Sequence, residues 1–397
     1  MQAILLAAGK STRTYPLTLT KPKPLLKVAN RSIIRHNLDQ LVGLVDEVII
    51  IVGYKKEMIL DNLKDYKDIK LTFIEQKDQL GTGHALSLAK DMIKDKFILM
   101  NGDDLFNKKD IEACLKHDLC VLAMEVKNPE KFGIFELNEN FVAKIIEKPK
   151  KPKSNLANTG LYVLNKKIFD MEMSESDRGE YEVVEAITKL AKTDKIHCET
   201  VKAYWLPIAY PWDLLNANEF FLKEIKTNIQ GTVDKNATVK GNLIVGKGTQ
   251  ILPGVYIEGN VIIGDNCMIG PNCYIRGKTS IGNNCKVGQA VEIKNTIMMD
   301  NTKVPHLSYV GDSILGENVN FGAGTVTANL KHDHNNVKSE VKGELIDSGR
   351  KKLGAIIADN VHTGINTSLF PGRKIWPGLS TGPGEKVNRD VKQPKDI

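Results

Sequence analysis

The chain has 397 residues, 42% hydrophobic and 26% charged, with a formal charge of +7, a composition for two or three ordinary cored domains that excludes a small disulfide-stapled scaffold. The charge excess is modest and gathers around Lys148, Lys150, Lys151 and Lys153, which a solvated loop or phosphate-facing surface explains, so no nucleic-acid partner is expected. No stretch approaches the roughly 20 apolar residues of a membrane span and no basic segment precedes the short apolar run at the start, so the default expectations are no membrane and a cytoplasmic location.

In chain order, apolar runs from Ala3 to Ala7, Val48 to Val52, Leu71 to Ile74 and Phe97 to Met100 alternate with helical patterns from Ile33 to Leu44 and Gly83 to Ile93. That alternation predicts an α/β domain with a mainly parallel sheet. The first strand runs into Ala8-Gly9-Lys10-Ser11-Thr12-Arg13, a turn whose amides suit phosphates or a base edge. It is not a P-loop, because that motif needs Gly where Ile4 stands. Arg13, Lys21, Lys23 and Lys27 follow closely, with Pro16, Pro22 and Pro24 stiffening the segment. Such a loop can clamp a polyphosphate; on composition alone a solvated basic loop is the better reading.

These motifs resemble the signature of the sugar-1-phosphate nucleotidylyltransferases: Leu6 to Arg13, Lys21-Pro22-Lys23-Pro24-Leu25-Leu26, Gln76 with Gln79 to Ala85, Asn101-Gly102-Asp103, Phe132-Gly133, Ile146 to Pro149, Asn158-Thr159-Gly160 and Trp212-Asp213. The resemblance implies attack by a sugar phosphate on the α-phosphorus of a nucleoside triphosphate, with pyrophosphate expelled. Arg13 and Lys23 would neutralise the developing charge. Asp103 and Asp213 would hold Mg²⁺, a hard cation suited to carboxylates and water. Ala8, Gly9, Gln76, Gly81 and Thr82 would receive the nucleotide, UTP or dTTP, and Gly133, Glu147, Asn158 and Thr159 the sugar phosphate.

After Lys226-Thr227-Asn228 the helical patterns stop. Val233, Val239, Val245, Ile251, Ile257, Ile263, Ile269, Ile275, Ile281, Val287, Ile293 and Met299 recur every sixth residue, often followed by Gly. This hexapeptide repeat specifies a parallel β-helix, and three hexads per triangular coil would stack residues 18 apart about 4.8 Å from one another. Cys267, Cys273 and Cys285 share the fifth, inward place of their hexads, so they are expected as free thiols, Cys267 stacked on Cys285. Arg276 and Lys294, also 18 apart, should stack on one edge where a phosphate could bridge them. Two unrelated surface cations are the bland alternative.

Past Met299 the phase breaks. Leu315 and Phe321 resume it ten residues beyond Pro305, where a multiple of six is due, so about four extra residues are expected between. Such a slip would push His306 and Tyr309 out of the stack. Imidazole is the side chain that takes up protons near neutral pH, so His306 could then remove a proton from an amine attacking a thioester. The repeat lapses again over about 331–352, read as an insertion, and resumes at Ile357, Thr363, Leu369, Ile375 and Thr381; the charged tail after Glu385 is expected to be loosely held.

Val291 to Lys294, His306 to Asp312 and Asn318 to Asn329 resemble the acetyltransferase part of a narrower family, the bifunctional glucosamine-1-phosphate acetyltransferases and N-acetylglucosamine-1-phosphate uridylyltransferases. The implied fold is a Rossmann-like α/β nucleotidylyltransferase domain with a mainly parallel sheet over 1–227, then a left-handed β-helix over 228–397. The implied amino-sugar-phosphate site is Arg276, Lys294, Tyr309, Asn320 and Asn329, with His306 as base. Acetyl-CoA would lie between β-helices of a homotrimer, near Ala323. The sequence departs from the bacterial pattern at Leu330 and in the charged stretch from Lys331, and its last coils look more like the archaeal branch. His332 and His334 are expected to face solvent rather than a metal. Two alternatives stay open: a nucleotidylyltransferase for another sugar or for dTTP whose β-helix is purely structural, and a catalytically silent trimeric binding protein.

Overall fold

A computed structural model describes residues 1–176 and 179–393. The chain forms two compact units, one of Met1–Lys10, Pro22–Leu25 and Ile33–Pro207, the other of Ser11–Lys21, Leu26–Ser32 and Ile208–Ile397.

In the first unit the β-branched and aliphatic runs become nine strands of one sheet. They are β1 (Gln2–Ala7), β2 (Glu47–Val52), β3 (Lys70–Glu75), β4 (Phe97–Asn101), β5 (Cys120–Glu125), β6 (Gly133–Asn138), β7 (Phe141–Glu147), β8 (Leu156–Leu164) and β9 (His197–Thr200), in the order β3-β2-β1-β4-β8-β5-β9-β7-β6. The first four are mutually parallel, β8 runs antiparallel to β4 and β5, and β9 is parallel to β5. β1, β2 and β4 are almost wholly buried because helices cover both faces. Helix α1 (Ile33–Leu41) stops short of Leu44, followed by α2 (Lys56–Leu63). Helix α3 (Thr82–Ser87) gives way to tight turns from Leu88 to Met92, and α4 spans Lys108–Leu115. In α5 (Val183–Leu190) Val183, Ala186, Ile187 and Leu190 are buried, the spacing of one helical face. The architecture is the expected Rossmann-like one. From β1 the chain adds β2 and β3 on one side, then lays β4 on the other, so the strand order reverses beside β1. The carboxyl ends of β1, β2 and β4 are therefore where a ligand crevice belongs.

The second unit contains three parallel sheets whose successive strands lie one coil apart in sequence. Ile257 pairs with Ile275, Ile263 with Ile281 and Ile269 with Val287, each 18 residues on. This arrangement is consistent with a parallel β-helix. From Val245 on the inward isoleucines and valines are buried, whereas Val233 is half-buried and Val239 exposed at the open end of the stack; each buried one contributes about 1.5–3 kcal/mol of apolar burial. The corners are made by left-handed residues in the fourth place of the hexad, Gly248, Gly254, Asn266, Asn272 and Asn284, all with φ between 51° and 72°. Only Gly, and Asn at small cost, takes that conformation readily. The three cysteines are free and buried. The Cys267 amide donates to Thr249 Oγ1 (2.8 Å) and Cys267 Sγ accepts from Cys285 N (3.3 Å), so small polar side chains accept hydrogen bonds from the amides of the next coil.

The slip after Met299 has a different origin from the expected one. Ser280 pairs with Ile297 and Ile281 with Met298, an offset of 17, and Val287 with Val304 and Ile293 with Val310 keep it. One residue is therefore missing between Lys294 and Ile297, and Met298 rather than Met299 points inward. A second five-residue step separates Val310 from Leu315, which pairs with Met298. Two deletions and four insertions give the same phase modulo six, which is why the hexad count alone misreads them. His306 is thus not looped out: it ends the strand Lys303–His306 and pairs with Gln289.

The insertion is ordered. Leu315 pairs with Ile357 and Thr327 with Leu369, an offset of 42 in place of 18, and the strands Lys338–Val341 and Glu344–Asp347 form an antiparallel hairpin in between. Ser339 Oγ anchors it by donating to Gly372 O (2.8 Å). Beyond Glu385, Lys386–Val387 still pairs with Ser368–Leu369 and Val391 bridges to Ile375, so this part of the tail is held rather than loose; residues 394–397 lie outside the described region. The early segments belong to this unit through ion pairs. Lys21 binds Glu317 (2.5 Å) and Asp359 (3.2 Å), and Lys27 binds Asp300 (2.5 Å). Asn218 of α6 (Asp213–Leu222) accepts from Ala29 N and donates to Lys278 O. Lys21 and Lys27 are consequently structural cations rather than parts of a phosphate clamp.

Candidate active sites

In the first unit the expected nucleotide residues gather at the carboxyl ends of β1, β2 and β3. Ala8 O accepts from Tyr54 N (3.0 Å), and a side chain on Gly53 would meet Ala8 O and Gln76 O at 2.9 and 3.0 Å. Around Gly9 nothing lies within 4 Å of where a Cβ would stand, which is the room a ligand needs against backbone. Gln76 is 3% exposed; its Nε2 donates to Gly81 O (3.0 Å) and approaches His84 Nδ1 (3.1 Å). Gly81 has φ 99°, and a Cβ there would strike Tyr181 O at 2.4 Å. Thr82 Oγ1 accepts from Val183 N (3.1 Å), fastening the loop to α5.

The expected sugar residues converge in the same way. Gly133 pairs with Glu147 across β6 and β7, and a methyl on Gly133 would sit 2.8 Å from Glu147 Oε2 and 3.6 Å from Asn158 Cβ. Asn158 donates to Tyr162 Oη (2.7 Å) and accepts from Gly160 N (3.0 Å), held where β8 bulges. Thr159 is different: it is buried and its hydroxyl donates to Leu122 O (2.8 Å), so only its main chain is available to a ligand. Asp103 follows β4, where Gly102 N donates to Leu6 O (2.8 Å), and its Oδ2 binds Lys23 Nζ at 3.0 Å. Lys23 is itself 6% exposed and also faces Asp104 (3.7 Å). Arg13 and Asp213 belong to the second unit. Arg13 stands exposed on the short turn Thr12–Thr14. Asp213 opens α6, and its Oδ2 accepts from Ala209 N (2.9 Å) and Tyr210 N (2.7 Å).

In the repeat, Arg276 and Lys294 are register partners, as the 18-residue spacing implies, and Gly311 occupies the next rung. They line a cleft of about 670 Å³ together with Lys278, Asp312, Arg350 and Lys352. Arg276 pairs with Glu292 (3.1 Å) and lies over the Tyr274 ring (5.6 Å). The centre of the cleft is Asp312, 3% exposed. It binds Lys294 Nζ (3.2 Å), Asn295 Nδ2 (2.7 Å) and Asn329 Nδ2 (2.5 Å), with Arg350 at 3.9 Å. Asn329 also donates to Tyr309 Oη (3.1 Å), and burial raises the Tyr309 pKa. A side chain on Gly311 would collide with Tyr309 Oη and Asn329 Nδ2 at 2.4 and 2.7 Å, so glycine is what lets them meet. Arg276, Lys294, Tyr309 and Asn329 are thereby brought to one place. His306, Asn320 and Ala323 lie on another face: Lys303 bridges to Asn320, and Gly324 N approaches His306 O (3.4 Å). His306 is exposed and flanks, with Tyr309, the corner at Leu307 (φ 48°).

Asp312, Arg350 and Asn295 are site residues that sequence reasoning did not single out. Asp312 stands within a quoted motif, but Arg350 comes from the far end of the insertion, where no local pattern signals a return to the cleft.

A family profile described as "Nucleotidyl transferase" matches residues 2–224, and one described as "GMPPB C-terminal domain" matches 257–370. A Methanocaldococcus jannaschii protein named "Bifunctional protein GlmU" is 43% identical over 395 residues, covering 99% of this chain and 96% of that one. A Sulfurisphaera tokodaii protein named "Bifunctional sugar-1-phosphate nucleotidylyltransferase/acetyltransferase" is 40% identical, covering 98% of both. Among solved structures, a candidate glucose-1-phosphate thymidylyltransferase from Bacillus anthracis in complex with sucrose is 27% identical with a TM-score of 0.52, covering 57% of this chain and 98% of that one. The structural match covers just over half of this chain, whereas the two-part relatives cover nearly all of it, the repeat and its cleft included. The chain belongs to the family of bifunctional sugar-1-phosphate nucleotidylyltransferase/acetyltransferases.

Proposed function

We propose that this enzyme acetylates glucosamine 1-phosphate with acetyl-CoA in its second half and, in its first, transfers uridylyl from UTP to the resulting N-acetylglucosamine 1-phosphate, releasing pyrophosphate. The observation that carries the reading is the cleft lined by Arg276, Lys294, Asp312 and Arg350, with Asn329 bonded to both Asp312 and Tyr309 beside it, because it sets cations and hydrogen-bonding side chains where one sugar phosphate can meet them together. Arg276 and Lys294 bind the substrate phosphate, Tyr309 and Asn329 its sugar, and Asn320 completes the pocket. His306 takes the proton from the attacking amine as it displaces CoA from the acetyl group, whose thioester lies by Ala323. The repeat is a left-handed β-helix, and a homotrimer brings the faces of neighbouring copies together around each site.

For nucleotidyl transfer, Arg13 and Lys23 offset charge on the phosphates, and the Gln76 carboxamide oxygen accepts the imide N–H of uracil. Thymine shares that edge, which makes dTTP the competing donor. Ala8, Gly9, Gly81 and Thr82 frame the base and ribose, while Gly133, Glu147, Asn158 and the Thr159 main chain hold the sugar. Asp103 and Asp213 would hold Mg²⁺; their hard carboxylate oxygens fit that ion, which would supply charge neutralisation at phosphate oxygens. The test is the purified protein against four triphosphates and a panel of hexose and hexosamine 1-phosphates, with and without acetyl-CoA. Pyrophosphate release and acetyl-CoA consumption should both select the glucosamine series. Pyrophosphate release with no acetyl-CoA consumption would reduce the repeat to a scaffold.

A further inference from the structure

We propose that His117, His197 and Glu199 form a binding site for a divalent transition-metal ion of the zinc class, separate from both reaction sites. Strand alternation puts His197 and Glu199 on the same face of β9 and turns Cys198 to the other. His117 follows α4, fixed by its amide bond to Cys114 O (3.2 Å), and enters the same space because β5, the next strand, pairs in parallel with β9, His197 opposite Cys120. The three side chains come from two separate stretches of the first unit, yet all three donor atoms lie within 4.8 Å of one another; no other such trio occurs among the described residues.

The distances suit an ion. His117 Nε2 and His197 Nε2 stand 3.0 and 3.6 Å from the same oxygen of Glu199. A tetrahedral ion with bonds of about 2.0–2.2 Å separates its ligands by about 3.3–3.6 Å, so both observed edges to Glu199 lie close to that spacing; because the two imidazoles stack in parallel, closure needs one ring to turn until both lone pairs converge. The imidazole rings stack with centroids 3.8 Å apart and planes 13° from parallel. Neutral imidazole is the metal-ligating form. Two nitrogens and one carboxylate select zinc, cobalt or nickel over magnesium. All three side chains are partly exposed, at 29%, 23% and 18%, so a water can complete the coordination. Lys202 stands 4.0 Å from the other Glu199 oxygen and largely in solvent, and the Phe141 ring closes the side of His197 edge-on.

The test uses the full chain, stripped with a chelator and titrated with Co²⁺ and then Zn²⁺ in excess Mg²⁺. Binding of one Co²⁺ per chain should give a visible absorption band that Zn²⁺ abolishes. Zn²⁺ at about a hundred times its dissociation constant should raise Tm by about 5 °C or more. His117→Gln and His197→Gln should each weaken binding at least about tenfold, Glu199→Gln should weaken it too, and uridylyl transfer should stay within about twofold of the parent, reporting an intact fold. No Co²⁺ or Zn²⁺ binding below about millimolar would overturn the assignment. So would equal affinity in the histidine variants, or binding lost in Asp103→Asn instead.

Discussion

Asp312→Asn is the sharpest test of the cleft. The carboxylate is 3% exposed and takes hydrogen bonds from Lys294, Asn295 and Asn329 at 3.2, 2.7 and 2.5 Å, with Arg350 at 3.9 Å. The isosteric amide removes the charge and turns an NH₂ toward donors, so at least one strong bond is lost. A charge-assisted hydrogen bond contributes about 1.5–3 kcal/mol, and losing about 2–3 kcal/mol of positioning lowers kcat about 30- to 150-fold. The same change leaves the cleft one positive charge richer, so KM for the amino-sugar phosphate should stay level or fall. Asp312→Ala also strands buried partners and should cost about 3–5 kcal/mol of stability, a Tm drop of about 6–20 °C in a unit of this size. Initial rates of acetyl-CoA consumption across substrate concentration, pyrophosphate release as the internal control and a melting curve give every quantity. A kcat for acetyl transfer within about threefold of the parent, with Tm unchanged, refutes the organising role of Asp312.

The other predictions separate the two chemistries. His306→Ala should reduce acetyl transfer about 10²-fold and leave pyrophosphate release intact; equal loss of both would mean a disrupted fold. Asp103→Ala should abolish Mg²⁺-dependent nucleotidyl transfer while acetylation continues, and retained transfer would remove Asp103 from the metal role. Gly81→Ala combines a φ of 99° with a contact of 2.4 Å to Tyr181 O, so it should cost about 1–3 kcal/mol; a raised KM for UTP, with acetyl transfer unchanged, is the expected readout.

The sequence carried local periodicities well and long-range convergence poorly. Hexads that repeat with Ile or Val in first place foretold which residues pair, because a coil of fixed length converts spacing into contact; Arg276 beside Lys294 and Cys267 beneath Cys285 follow directly. Phase alone could not tell two missing residues from four added ones, so the setting of His306 came out wrong while its position beside Tyr309 came out right. In the first unit the motifs marked residues that do meet, Gly133 with Glu147 and Gln76 with Gly81. They drew Lys21 and Lys27 into a phosphate-binding cluster, because the carboxylate partners of both lie hundreds of residues away and leave no local trace. Arg350 was hidden for the same reason, and the His117, His197 and Glu199 grouping depends on a strand pairing that no short window reveals.

The offset of 42 across the hairpin carries a lesson about how such a chain can change. Twenty-four residues enter at one corner, yet Leu315 still meets Ile357 and Thr327 still meets Leu369. A corner is therefore a place where length is free while shape is fixed, like a clasp let into a chain between links. Novelty added there need not be negotiated with the rest of the stack, and in this protein the clasp delivers Arg350 to a cleft whose other walls were set by the repeat. Swapping hairpins between relatives should thus exchange what the cleft accepts without refolding the coils, making this corner the natural grip for an engineer.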